Sequence, residues 1–83
     1  MNNDELLEVL DALIQLQEDD FVPRNIKARL QNACTLLKCE ERTVPIRVDE
    51  SIQELDEIAE DNNIPIYTRT QIWDIVAKLE CIK

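Results

Sequence analysis

A shift of 42 positions lays residues 1–41 of this chain on residues 43–83. Pro23 falls on Pro65, Leu37 on Leu79, Cys39 on Cys81, and Glu18-Asp19 on Glu60-Asp61. Val22 falls on Ile64, Lys27 on Arg69 and Leu30 on Ile72. Upstream, Leu6, Leu10 and Leu13 fall on Val48, Ile52 and Leu55. A fixed period of this size signals one supersecondary unit used twice. Any fold for the chain must therefore be built from two similar halves.

Those halves read as helical hairpins. There is no glycine and there are only three prolines, so few positions can demand positive φ. Residues 3–18 carry the stripe Leu6, Leu10, Leu13 and Gln17, widened by Leu7, Val9, Ile14 and Leu16. Asp4, Glu8, Asp11, Gln15 and Glu18 lie opposite, and Asn2 or Asn3 caps the start. Residues 23–40 open on Pro23, which has no amide hydrogen to lose, and present Ile26, Leu30, Ala33 and Leu37 with Cys34 beside them. Residues 45–60 open on Pro45 and present Val48, Ile52, Leu55 and Ala59 with Ile58 alongside; Glu50, Glu54, Glu57 and Asp61 face away. Asn62-Asn63 is expected to make the left-handed turn that glycine would otherwise supply. Residues 65–82 open on Pro65, in preference to a capping box at Thr68-Arg69-Thr70-Gln71. Their seam is Ile72, Ile75, Val76, Leu79 and Ile82, with Trp73 on the flank as a core edge. Val22, Val44 and Ile64 precede the prolines, where extended backbone lets each tuck under the new helix.

Charge follows the same order. Residues 1–20 hold seven acids and no base, 23–42 five bases and two acids, 45–61 seven acids and Arg47. Residues 65–83 hold Arg69, Lys78 and Lys83 against Asp74 and Glu80. Acidic helices thus alternate with more basic ones, which disfavours wrong pairings more than it adds stability. The expected fold is all-α: a single domain, residues 1–83, folded as a four-helix up-and-down bundle built from two helical hairpins. Two repeats are too few for a solenoid, which leaves an open hairpin pair completed by self-association as the alternative.

Net charge is −9, which disfavours phosphate backbones and anionic membranes. No apolar run is long enough to cross a bilayer, and Met1-Asn2-Asn3-Asp4-Glu5 lacks the basic start of a signal peptide. A cytoplasmic location follows as the expectation, with Cys34, Cys39 and Cys81 as reduced, buried thiols. A Cys39–Cys81 disulfide is the alternative. With no histidine and only the poorly spaced Cys34-x4-Cys39 pair, a zinc site is disfavoured, and a di-iron Glu-x-x-His site cannot be assembled.

Several stretches resemble a small uncharacterised archaeal protein family of about this length. They are Val22-Pro23-Arg24-Asn25-Ile26, residues 44–48, Leu55-Asp56-Glu57-Ile58, and residues 61–80 with Asn62-Asn63-Ile64-Pro65 and Ile72-Trp73-Asp74-Ile75-Val76. The Thr-Arg-Thr-x-Ile-Trp segment at 68–73 is the most specific, and Ile46 departs from the small residue or valine expected there. The resemblance implies an all-α up-and-down bundle of bromodomain-like topology. It implies no catalytic residues and no cofactor.

Functional candidates are weighed against ordinary surface. Glu5-x-x-Glu8-x-x-Asp11 and Glu54-x-x-Glu57-x-x-Glu60 echo magnesium-binding motifs of nucleotide hydrolases, but most of these acids fall opposite the apolar seams. Ser51 sits mid-helix without a base at useful spacing. Arg24, Lys27, Arg29, Arg47 and Arg69 either form a nucleic-acid-binding patch or pair with Asp19, Asp20, Glu60 and Asp61 at the same end. Ile66, Tyr67, Thr70 and Trp73 form a candidate patch on the last helix. The expectation is a non-catalytic interaction or assembly module without cofactor or metal. Its partner is an unidentified protein or a second copy, contacted through Arg24, Asn25, Tyr67, Arg69 and Trp73. A nucleic-acid-associated accessory protein and a magnesium-dependent nucleotide hydrolase are the alternatives.

Overall fold

Proline punctuation and apolar period produce four helices in the computed structural model, which describes residues 3–82. They are α1 (Asn3–Glu18), α2 (Arg24–Lys38), α3 (Val44–Ala59) and α4 (Ile66–Ile82). A cap from Asn2 lies outside the described residues, and Asn3 is already the first residue of α1.

Helix starts differ by a residue from expectation, for a reason that lies in proline itself. Pro23 is the cap, at φ −59° and ψ 149°, and its carbonyl accepts the Lys27 N–H at 3.0 Å. Pro65 does the same for Arg69 at 3.0 Å. In α3 the cap is Thr43, whose carbonyl takes the Arg47 N–H at 3.0 Å, and Pro45 lies within the first turn. At the other end, α2 stops at Lys38 because Cys39 is already extended, at ψ 93°.

The turn after α3 is not left-handed. No residue among those described has positive φ. Instead the Asp61 carboxylate accepts the Asn63 N–H at 2.8 Å, and the repeat-related Asp19 accepts the Phe21 N–H at 2.9 Å. An aspartate that bonds the backbone two residues on can turn the chain without glycine, so the repeat keeps both aspartates.

α1 packs on α2, α2 on α3, α3 on α4, and α4 back on α1. The ring is closed, with extents of 34 × 20 × 20 Å. The α2 stripe is buried as expected: Ile26, Leu30, Ala33, Cys34 and Leu37. So are Val48, Leu55, Ile58 and Ala59 of α3, with Ser51 added and Ile52 only half-buried, and Ile72, Ile75, Val76 and Leu79 of α4, with Thr68 added and Ile82 only half-buried. In α1 the stripe is turned. Val9, Leu13 and Leu16 are its centre, Leu6 and Leu10 are half-buried, and Leu7 and Ile14 are exposed. Val22 and Ile64 are buried, as their position before proline suggested, whereas Val44 is already the first residue of α3 and only half-buried.

Candidate functional site

Three of the five basic candidates are occupied by the fold. Arg69 donates to the Ala59 and Asp61 carbonyls at 2.7 and 2.9 Å, at the C-terminal end of α3. Arg47 donates to the Leu37 carbonyl in the last turn of α2 at 3.1 Å, and to the Arg42 carbonyl in the following connection at 3.0 Å. Each arginine sits in the first turns of its own helix, where a cation opposes the dipole. Each is spent on the negative end of the preceding helix, where a cation is favoured. Arg29 bonds Glu54 at 3.1 Å and Glu57 at 3.3 Å across the α2/α3 seam. The expected carboxylates of Asp19, Asp20, Glu60 and Asp61 form none of the ion pairs seen among the described residues, and Asp61 contributes its carbonyl instead. Arg24 and Asn25 are exposed and Lys27 is half-buried.

Several carboxylates and the Ser51 hydroxyl are likewise engaged. Glu54 and Glu57 hold Arg29, and Arg42 pairs with Glu50. No group of three or more acidic or cysteine side chains suited to a metal ion occurs among the described residues. Ser51 does have a partner: its buried hydroxyl donates to the Ala33 carbonyl at 3.1 Å, tying α3 to α2. All three cysteines are free, but they are not all buried. Cys34 is buried, Cys39 half-buried and Cys81 exposed. Burial pushes the Cys34 thiol above its ordinary pKa, against the pull of Lys38 and a contact from Gln17 Nε2 at 3.4 Å.

Trp73 is not a core edge; it is 55% exposed. Tyr67 is 66% exposed, Ile66 76% and Phe21 85%. Tyr67 and Trp73 do not share a face, since six residues separate them by about 120° around the helix. Trp73 points with Ile66 and Thr70 towards the outer side of α4. Tyr67 lies on the flank facing α1, where its hydroxyl accepts from Gln71 Nε2 at 3.2 Å. Near the turns, Phe21, Pro65 and Tyr67 line a shallow, mainly apolar depression together with Asp19.

The two seams related by the 42-residue shift are built differently. In the α2/α3 seam, Arg29 reaches Glu54 and Glu57. Shifted by 42, Arg29 becomes Gln71, Glu54 becomes Ala12 and Glu57 becomes Gln15. The α1/α4 seam therefore lacks the arginine and both of its carboxylates. In their place is a half-open groove of about 360 Å³, lined by Gln15, Asp19, Tyr67, Gln71, Asp74 and Lys78 among others. Gln71 Oε1 is buried there without a hydrogen-bond partner. The apolar depression and the groove meet at Asp19 and Tyr67.

Sequence reasoning singled out Tyr67 and passed over Phe21 and Gln71. Phe21 sits in a turn, outside any apolar period, so only its exposure reveals it. Gln71 was accessible, because the shift that aligns the repeats pairs it with Arg29; its meaning needed the Arg29 ion pairs.

No helix among the described residues is long and apolar enough to cross a membrane. The profile of a family described as "Uncharacterised protein family (UPF0147)" matches residues 1–82. A UPF0147 protein of Methanothermobacter thermautotrophicus is 36% identical over 83 residues, 100% of this chain and 81% of the relative. Another, from Methanocaldococcus jannaschii, is 43% identical over 75 residues, 90% of this chain and 77% of the relative. The crystal structure of a protein of unknown function, MMP1188, superposes with a TM-score of 0.95 at 47% identity, covering 100% of this chain and 94% of that one. A UPF0147 crystal structure from Thermoplasma acidophilum gives 0.92 at 31% identity, covering 98% and 95%.

Proposed function

The chain belongs to the uncharacterised protein family UPF0147, and from that premise we propose that it is a non-catalytic, cytosolic interaction module whose contact surface is the turn end of α4 and its seam with α1. The observation that carries this reading is the gathering of Phe21 and Tyr67, exposed by 85% and 66%, around one depression beside the turns. Exposed aromatic side chains clustered beside a depression are what a partner's anchor residues use. The absence of histidine, the structural use of Ser51 and the burial of Cys34 support a role without catalysis.

The test is affinity capture from source-organism lysate with wild-type chain, Phe21→Ala/Tyr67→Ala, Trp73→Ala and Leu7→Ala. The double variant is expected to lose a partner that the Leu7→Ala control retains. Loss in Trp73→Ala would extend the contact to the outer side of α4. An unchanged set of captured proteins in the Phe21→Ala/Tyr67→Ala variant would refute the reading.

A further inference from the structure

We propose that the α1/α4 groove receives an arginine side chain of a partner protein, with an apolar neighbour of that arginine seated on Phe21, Pro65 and Tyr67. The inference rests on the interaction-module reading and specifies what the partner presents. Three observations carry it.

The first is internal. The repeat-related α2/α3 seam is bridged by the Arg29 guanidinium. In the α1/α4 seam the matching residue is Gln71, shorter and neutral, and a groove of about 360 Å³ remains. Glu54 and Glu57, which hold that guanidinium, are matched by Ala12 and Gln15, so a cation in this groove must find its carboxylates elsewhere on the lining.

The second is electrostatic. Asp19 and Asp74 line the groove, and the buried Gln71 Oε1 adds an acceptor with no partner. A planar guanidinium offers five donors and stacks on an aromatic face such as Tyr67. Lys78 also lines the groove and, as a like charge, opposes a guanidinium, so the two carboxylates must outweigh it. The net charge of −9 draws a basic segment towards the protein at long range.

The third is continuity. Asp19 and Tyr67 belong both to the groove and to the apolar depression holding Phe21 and Pro65. A cationic side chain and an adjacent apolar one can therefore be held together. A phosphate-bearing ligand would meet Asp19 and Asp74, so RNA is disfavoured here.

The experiment is an amide NMR titration of the full chain with a capped tetrapeptide having a Leu-Arg centre. Its controls are Leu-Glu and Leu-citrulline peptides and a short oligouridylate. The Leu-Arg peptide is expected to shift amides near Gln15, from Asp19 to Phe21 and from Tyr67 to Lys78. Affinity should fall about tenfold or more in Asp19→Asn/Asp74→Asn, with citrulline, and at high salt. Asparagine at 19 keeps the side-chain oxygen that holds the Phe21 N–H, so this variant retains the turn. An absent shift with Leu-Arg, equal shifts with Leu-Glu, or oligouridylate binding at these residues would each overturn the proposal. So would the same shifts arising on concentrating the protein alone, which would assign the surface to a second copy. If the peptide fails while partner capture still depends on Phe21 and Tyr67, the arginine assignment falls and the module reading stands.

Discussion

Ser51 shows what a side-chain pattern hides. Read along the chain, it is a polar residue without a partner, because its acceptor is a backbone carbonyl of another helix, Ala33 O at 3.1 Å. The repeat places Val9 at the same position of α1, and both are fully buried. Ser51→Ala should cost about 0.5–1.5 kcal/mol in urea unfolding, since a mid-helix carbonyl keeps its own helical bond. Leu55, also fully buried, was legible from period alone, and Leu55→Ala should cost about 2–5 kcal/mol. Cys34 supplies a pH dependence. Its folded pKa is raised by burial, so the unfolded chain ionises this thiol first. Its contribution is intact below the ordinary thiol range and declines as pH rises above about 8.5. Wild type should therefore lose stability relative to Cys34→Ala between neutral and alkaline pH, measured by unfolding at each pH. A constant difference between the two would contradict the burial of a neutral thiol.

At the level of helices, the seams of α2, α3 and α4 were readable because their apolar residues follow one narrow period. α1 was not, because it is apolar at 6, 7, 9, 10, 13, 14 and 16, which spans more than half the helix. Several phases satisfy such a pattern, and only packing against α2 and α4 selects Val9, Leu13 and Leu16. The arginines that clasp preceding helix ends were misread for a related reason. Sequence places Arg47 and Arg69 at helix starts, and only the turn geometry brings them to the Leu37 and Ala59 carbonyls. Arg69→Ala should lower stability by about 1–2 kcal/mol, discounted from a fully buried charged hydrogen bond because the side chain is half-exposed. Arg69→Lys should recover only part, as a single ammonium cannot span two carbonyls in the same fork. Thermal unfolding of both variants checks this; equal melting temperatures for wild type and Arg69→Ala would remove the clasp from the energetics.

For the whole molecule, the 42-residue echo is both the fold and the lead to function. Shared positions build the closed ring: Leu13 with Leu55, Leu30 with Ile72, Leu37 with Leu79, all fully buried. Divergent positions make one seam unlike the other, with Arg29, Glu54 and Glu57 on one side and Gln71, Ala12 and Gln15 on the other. That contrast is written in the sequence, but its consequence required seeing one seam bridged and the other open. It also supplies the most direct experiment. Ala12→Glu, Gln15→Glu and Gln71→Arg together would copy the α2/α3 ion pairs into the α1/α4 groove. The triple variant is expected to melt no lower than wild type and to lose the Leu-Arg peptide, its groove now occupied from within. A folded triple variant that binds the peptide as tightly as wild type would contradict the assignment of this groove as the contact surface.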